Sequence, residues 1–491
     1  MKKFYSILMF SLTVSLSFAQ VELVKDIRSG AESTLISEMA ANNEKIIFRG
    51  NNSTDGAYNV VFVSDGTTDN VREVEINTGG HSMAGAFTVF NNEIYFCATD
   101  GTTYGIYRID ETTDTGVKAG DFDWKMPVVH AGMVYFMDKQ TDTDNKAIHS
   151  WDGTTETTLA HQENIAGTGK FIPFGDNFLL YGKITDEDPD KGIELLLLDP
   201  SSGVTRLTDF NFDMDDTPDS VDAKITEFVT FGDKAYFIAW NQFWETDGTK
   251  ENTRRVDVVN DELSGSDYFG NFYVWNDKIY CKGNNVIGES QLYVFDPQGN
   301  TFTRMTDYQI DYWGTGTMGS HFLDPRNFIA NGDCLYFTGQ DTIVVDNKTP
   351  RRLYRTNGVN IERVTDAITD VDHLTLFDGN IYMEADDGTT GRELYVYHPT
   401  AYPIVDPNTG IIEPAFKANS ITVFPNPSYG YINLTGLETN DAAYTLFDLT
   451  GRSCEKGMVI NNMINYKVKS GTYILHVGEG RNAKIIKVIV K

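Results

Sequence analysis

Basic residues are scarce in this chain. Its 491 residues carry 40 Lys and Arg against 70 Asp and Glu, a formal net charge of −30. That balance excludes nucleic acid or an anionic membrane as the general partner and fits a soluble extracytoplasmic protein. Cysteine is also rare: Cys97, Cys281, Cys334 and Cys454 are the four, with no Cys-x-x-Cys or Cys/His spacing to suggest zinc. Three of them fall on apolar segments far apart in sequence, which cannot easily meet at bridging distance, so buried free thiols are expected, with a disulfide the alternative. The eight histidines are scattered and none lies near a Gly-x-Ser-x-Gly elbow, so no Ser/His/Asp set can be placed. His149 occupies an aromatic repeat position and reads as a packed imidazole rather than a base. Beyond residue 20 no apolar run is long enough for a spanning helix.

Short apolar segments separated by polar turns are abundant, and they repeat. The apolar residue expected to close the first strand of each copy recurs as Ile47, Tyr95, Tyr135, Leu179, Tyr236, Tyr280, Tyr336 and Tyr382, at intervals of 48, 40, 44, 57, 44, 56 and 46 residues. A spacing of roughly 40–50 residues belongs to four-stranded propeller blades. Gly, Asn and Asp precede most of these markers, as in Asn91-Asn92, Asn276-Asp277 and Asp378-Gly379, and such residues accept the positive φ of tight hairpins. A second marker follows in each copy, from Val61-Phe62 to Leu394-Tyr395. Three residues beyond it stands Asp65, Asp110, Asp152, Asp199, Asp247, Asp296, Asn357 or His398. An Asp or Asn there can accept backbone N–H groups two or three residues on and close a turn, a structural role.

A last strand follows most copies, as in Thr205-Arg206-Leu207-Thr208, but the eighth copy runs instead into Pro399 and Pro403. The missing strand is supplied by Glu22-Leu23-Val24-Lys25-Asp26 at the other end of the chain. The fold expected is therefore all-β: an eight-bladed β-propeller closed by an N-terminal strand, followed by a small C-terminal β-sandwich. The copies resemble the secreted bacterial repeat of the form Glu-Leu-Trp-x-Thr-Asp-Gly-Thr, with Phe243-Trp244-Glu245-Thr246-Asp247-Gly248-Thr249 nearest to it. That resemblance implies the fold and no single activity.

The ends of the chain carry export signals. Residues 1–19 read as a signal peptide, with Lys2-Lys3 before an apolar stretch and a small-residue cleavage site at Ala19 and Gln20. The propeller is assigned to residues 20–398, and a proline-punctuated linker to 399–419. Residues 420–491 form the small sandwich of short strands with Gly and Asp turns. In that last segment Pro425-Asn426-Pro427, Gly451-Arg452, Gly471, Tyr473 and a basic terminal strand containing Lys487 fall in order. This order resembles the type A C-terminal sorting domain of the type IX secretion system. The resemblance implies recognition by the type IX translocon and passage across both membranes of a Gram-negative cell, to the surface or the medium.

Candidate ligand sites are few. Asp186, Asp188 and Asp190 alternate as the ligands of a hard cation do, which makes calcium the cofactor to consider. Lys191 stands where an EF-hand needs Gly and Leu197 where it needs Glu, so a solvated acidic hairpin is the default reading and a loose calcium loop the alternative. Tyr268, Tyr312 and Trp313 lie in long connections and could stack on sugar rings or meet a protein partner. The function expected is a binding module for a glycan or protein ligand. A hydrolase with residues converging on the channel and a plain surface spacer are the alternatives. No catalytic residue is assigned.

Overall fold

The computed structural model describes residues 21–52, 59–76, 84–110, 113, 115–138, 148–159, 165–166, 170–184, 192–209, 225–256, 270–284, 290–306, 323–341, 349–399, 422–424, 428, 430–435, 442–448, 452–460, 463–477 and 484–491. The chain divides into two compact units, 1–412 and 413–491.

The first unit is all-β and propeller-type. It consists, among the described residues, of eight antiparallel sheets in chain order. Their innermost strands are Glu38–Ala41, Gly85–Phe90, Trp124–His130, Phe171–Phe174, Phe228–Phe231, Gly270–Trp275, Arg326–Asn331 and Thr369–Phe377. Each lies beside the next, and Thr369–Phe377 lies beside Glu38–Ala41. In the eighth sheet the outermost strand is Val21–Lys25, paired antiparallel with Arg392–Tyr397 through Val21–Tyr397 and Leu23–Tyr395. The core is divided into clusters that each draw on two adjacent sheets, as where Val24, Phe48, Phe62, Tyr382 and Leu394 pack together.

The turn residues do what their chemistry allows. Asp65 Oδ1 accepts the N–H and hydroxyl of Thr67 at 3.0 and 2.6 Å. Asp152, Asp247 and Asp296 accept the N–H two residues on at 2.8, 3.0 and 3.0 Å, and Asn357 does the same at 3.0 Å. Hydroxyl and N–H donors hold the Asp65, Asp152, Asp199 and Asp247 carboxyls below the usual range, Asp199 at about 2. The glycine after Asp65 has φ +83°, and a Cβ there would meet the Tyr382 hydroxyl of the eighth sheet at 2.5 Å. That hydroxyl donates to the Gly66 carbonyl at 3.0 Å. Gly358 faces Tyr280 of the preceding sheet in the same way. At these two seams the marker tyrosine seats the turn of the next sheet, whereas Phe90 and Phe174 face Gly153 and Gly248. The eight markers, expected to close the first strand, stand instead in the second strand of each sheet, after the hairpin.

The first residue of the repeat motif has a buried counterpart. Glu194 and Gln291 accept the hydroxyls of Thr208 and Thr306, from the far end of their own sheets, at 2.5 and 2.7 Å. Each threonine oxygen also takes the N–H of Leu195 or Leu292 at 2.9 Å. Thr208→Val removes both bonds in a buried setting and is expected to cost about 1–3 kcal/mol, measurable by chemical denaturation.

The second unit packs a three-stranded sheet (Thr422–Phe424, Tyr431–Thr435, Met463–Asn465) with a four-stranded one (Ser453–Met458, Ala443–Asp448, Gly471–Val477, Lys484–Val490). Ile432, Leu446, Val459, Ile464, Leu475 and Val488 fill the space between them. Ser428 ties the start of the unit to its end: its N–H donates to Ile489 O at 2.8 Å and Lys491 N donates back to Ser428 O at 3.0 Å.

Candidate functional site

In the first seven sheets the hairpin between the first and second strands and that between the third and fourth share one end, and in the eighth the first hairpin lies there too. The connections between the second and third strands, and from sheet to sheet, are at the other. A cleft of about 690 Å³ opens at the hairpin end, lined by Asp176, Asp199, Asp233 and Asp247. Asp199 and Asp247 are committed to their own turns, through Ser201 and Ser202 and through Thr249 and Asn252. This cleft is a by-product of turn chemistry.

The opposite end has a recurring distortion of the innermost strands. Their pairing slips between Gly85 and Thr88, Lys125 and Val128, Gly270 and Tyr273, Arg326 and Ile329, and Asp372 and Thr375. The residue following the first of each pair takes positive φ without being glycine: Ala86, Met126, Asn271, Asn327 and His373, at 51–56° for the last four and 54° for Ala86 to give the full set. Such bulges re-aim side chains at functional rims, and here neighbouring sheets hold them. Glu38 of the first sheet accepts the Ala86 and Phe87 N–H groups at 3.0 and 2.7 Å, and Asn271 donates to Pro325 O at 3.1 Å.

Where the seventh, eighth and first sheets meet, these contacts form a continuous polar constellation. The Asn327 amide donates to Asp372, beside His373. Asp372 is the cross-strand partner of Glu384. Glu384 accepts the Ile36 N–H at 2.9 Å and lies 3.5 Å from Arg392. Next to Ile36, the Ser37 hydroxyl takes the Arg49 Nε–H at 2.8 Å, and Arg49 also lies 3.9 Å from Glu38. Arg326, adjacent to Asn327, lies 3.6 Å from Asp324. The side chains of Arg49, Arg326 and Arg392 are 27, 44 and 38% exposed.

The electrostatics follow from this packing. Burial lowers the His373 pKa, and Arg326, Arg392 and Arg49 lower it further against the opposing pull of Asp372. Burial raises Glu384 to about 7 despite Arg392 and the Ile36 N–H. Glu393 is raised to about 7 by burial as well, although it accepts the Thr34 hydroxyl at 2.6 Å and the N–H groups of Ile27 and Arg28. Both glutamates are sealed from solvent, so they can fix the seam but cannot reach a ligand. The three arginines can. They offer planar, permanently charged donors suited to a carboxylate.

Asp186, Asp188, Asp190, Tyr268, Tyr312 and Trp313 lie outside the described residues, as do Ala19, Gln20, Pro425, Asn426, Pro427 and Gly451. The connections holding the first six begin and end on strands at the bulged end. Among the described residues no group of three or more His, Cys, Asp or Glu side chains is placed to hold a metal. The arginine constellation was not visible in the sequence. His149 stacks on Phe136 with ring centroids 5.5 Å apart, and its Nδ1 lies 2.5 Å from Glu156 Oε1. The four cysteines are free; Cys97 and Cys281 are buried, Cys334 is half-buried and Cys454 is exposed. In the second unit the Arg452 N–H and Nε–H both reach Asp448 at 3.0 Å. Gly471 opens a strand, and the Tyr473 hydroxyl donates to Lys469 O at 2.8 Å. Lys487 pairs with Ile474 in the terminal ladder.

Residues 422–491 match the family described as the secretion system C-terminal sorting domain. The tail is a sorting domain. The chain is accordingly exported by type IX secretion and is secreted or held at the surface of a Gram-negative cell. No helix among the described residues is long and apolar enough to cross a membrane, which says nothing of β-barrels. No curated protein matches the chain. Among solved structures, the computationally designed Ika8 protein is similar at 12% identity and a TM-score of 0.46, over 75% of this chain and 98% of that one. PorZ, described as a surface component of the type IX secretion system of Porphyromonas gingivalis, is similar at 11% identity and 0.30, over 93 and 82%. The β-propeller domain of the Trilobed protease from Pyrococcus furiosus is similar at 12% and 0.40, over 69 and 99%. Likenesses this distant carry no argument about activity.

Proposed function

We propose that residues 20–398 close into one eight-bladed propeller, released from a signal peptide at 1–19 and joined by a linker at 399–419 to the sorting domain, and that it serves as an exported binding module for a glycan. Closure is supported by the pairing of Val21–Lys25 with Arg392–Tyr397 and by the contact between the innermost strands of the eighth and first sheets. The observation that carries the binding reading is the convergence of partly exposed Arg49, Arg326 and Arg392, from three sheets, on one end of the innermost strands. In a chain of net charge −30, a local cationic rim needs a reason, and ligand recognition supplies one. In this reading Tyr268, Tyr312 and Trp313 would add stacking surfaces, and Asp186, Asp188 and Asp190 would hold calcium.

A glycan-array screen of the exported chain, run with calcium and again with chelator, tests this. Specific binding is expected, and its loss in chelator would assign the 186–190 connection a calcium. A blank array in both conditions sinks the glycan reading and leaves a protein ligand or a spacer. Hydrolysis of a bound glycan would establish the hydrolase alternative.

A further inference from the structure

The arginine rim is not uniformly cationic, and its composition narrows the ligand. Each arginine sits beside a carboxylate or an amide: Arg49 beside Glu38, Arg326 beside Asp324 and Asn327, Arg392 beside Glu384. Asp370 and Asp372 belong to the same strand end. A strongly acidic peptide would bring several negative charges against these carboxylates and few hydroxyl donors to satisfy them. A ligand with a single carboxylate among many hydroxyls fits both halves of the set, because guanidinium groups take the carboxylate while the solvent-reachable carboxylates of Glu38, Asp324 and Asp370, but not the buried Glu384, accept hydroxyl protons.

We propose that the rim formed by Arg49, Arg326, Arg392 and His373 binds a sugar acid, with the ligand carboxylate held by the arginines and its hydroxyls by Asp372 and its neighbours. This assignment rests on the glycan-binding reading above. Arg326 is the residue that isolates it. Its partner Asp324 keeps Lys282 at 3.0 Å and Arg351 at 2.5 Å, so Arg326→Gln removes a ligand-facing charge without stranding a buried carboxylate. Arg392→Gln would leave Glu384 without its cation, and is the less clean variant.

The test is isothermal titration of the full exported chain with oligosaccharides of galacturonic or glucuronic acid, with their methyl esters, with the corresponding neutral oligosaccharides, and with a glutamate-rich peptide. The acid forms are expected to bind, with affinity falling at least tenfold on esterification and at least tenfold in Arg326→Gln. The variant should melt within a few degrees of the parent, which separates lost binding from lost folding. Equal binding of acid and ester, or undiminished binding by Arg326→Gln, overturns the assignment. Binding of neutral glycans alone overturns it while leaving the binding module standing. Binding of the acidic peptide, lost in Arg326→Gln, overturns the sugar assignment in favour of a protein partner. No binding to any glycan overturns both.

Discussion

Val24→Asp is expected to unfold the first unit or to lower its stability by about 4 kcal/mol or more. Val24 is 1% exposed in the strand that completes the eighth sheet, packed with residues from the first sheet as well as the eighth. The substitution forfeits the burial of a valine side chain, about 1.5–3 kcal/mol, and places a carboxylate among the apolar side chains of Ile36, Phe48, Phe62 and Leu394, which adds a desolvation cost. The effect spreads because the following segment is part of the same seam. Thr34 N donates to Arg392 O at 2.9 Å, Arg392 N donates to the Ser33 hydroxyl at 3.0 Å, and Asp69 N donates to Val24 O at 2.8 Å. Releasing Val21–Lys25 would expose the edge of Arg392–Tyr397, a strand buried along nearly its whole length and therefore prone to pair with another chain. Glu22→Ala is the control: its partner His398 is 3.7 Å away and both are about 41% exposed, so less than about 1 kcal/mol is expected. Thermal melts with light scattering read both outcomes, and a Val24→Asp chain as stable as Glu22→Ala would show that the strand does not hold the seam.

The sheet-by-sheet plan was legible because its signals are local. Alternation in a strand, a Gly or Asn that can take positive φ, and an Asp two residues before a threonine N–H each act within a few residues, so the repeat could be read from one copy to the next. Val21–Lys25 was legible for a different reason: a strand missing from one end of the repeat and spare at the other leaves one economical pairing. The arginine rim had no such signature. Arg49, Arg326 and Arg392 occupy three different strand positions in three repeats, so no motif contains them. They share one rim because the seventh, eighth and first sheets lie side by side. The bulges at Ala86 and His373 were equally hidden, since neither residue favours positive φ and the carboxylates of Glu38 and Asp372 accept the backbone N–H groups there. The buried glutamates were half visible: the motif places a Glu before its Leu, but only packing shows Glu194 and Glu393 turned inward onto threonine hydroxyls.

Those buried glutamates predict an unusual dependence of stability on pH. Glu384 and Glu393 are both raised from about 4.5 to about 7 by burial, so the folded state holds these protons more tightly than the unfolded chain does. Their contribution is fully present below the unfolded value and is lost as pH rises through about 7. A shift of this size corresponds to about 3 kcal/mol for each group. The turn aspartates act in the opposite sense. Asp199 and Asp387 are depressed to about 2 by hydroxyl and N–H donors, so their contribution is present above the unfolded aspartate value and disappears as pH falls through about 2. Stability is therefore expected to peak near pH 4–5 and to decline towards pH 8, rather than to hold level across neutrality. Glu384→Gln keeps an oxygen for the Ile36 N–H and removes one titration, so it should flatten the decline by roughly half and melt higher than the parent at pH 8. Denaturant melts of parent and variant from pH 4 to 8 decide the matter. A parent whose stability is level or rising from pH 5 to 8 would mean that the hydrogen bonds to Glu384 and Glu393 outweigh their burial, and that the seam is held by two ionised carboxylates.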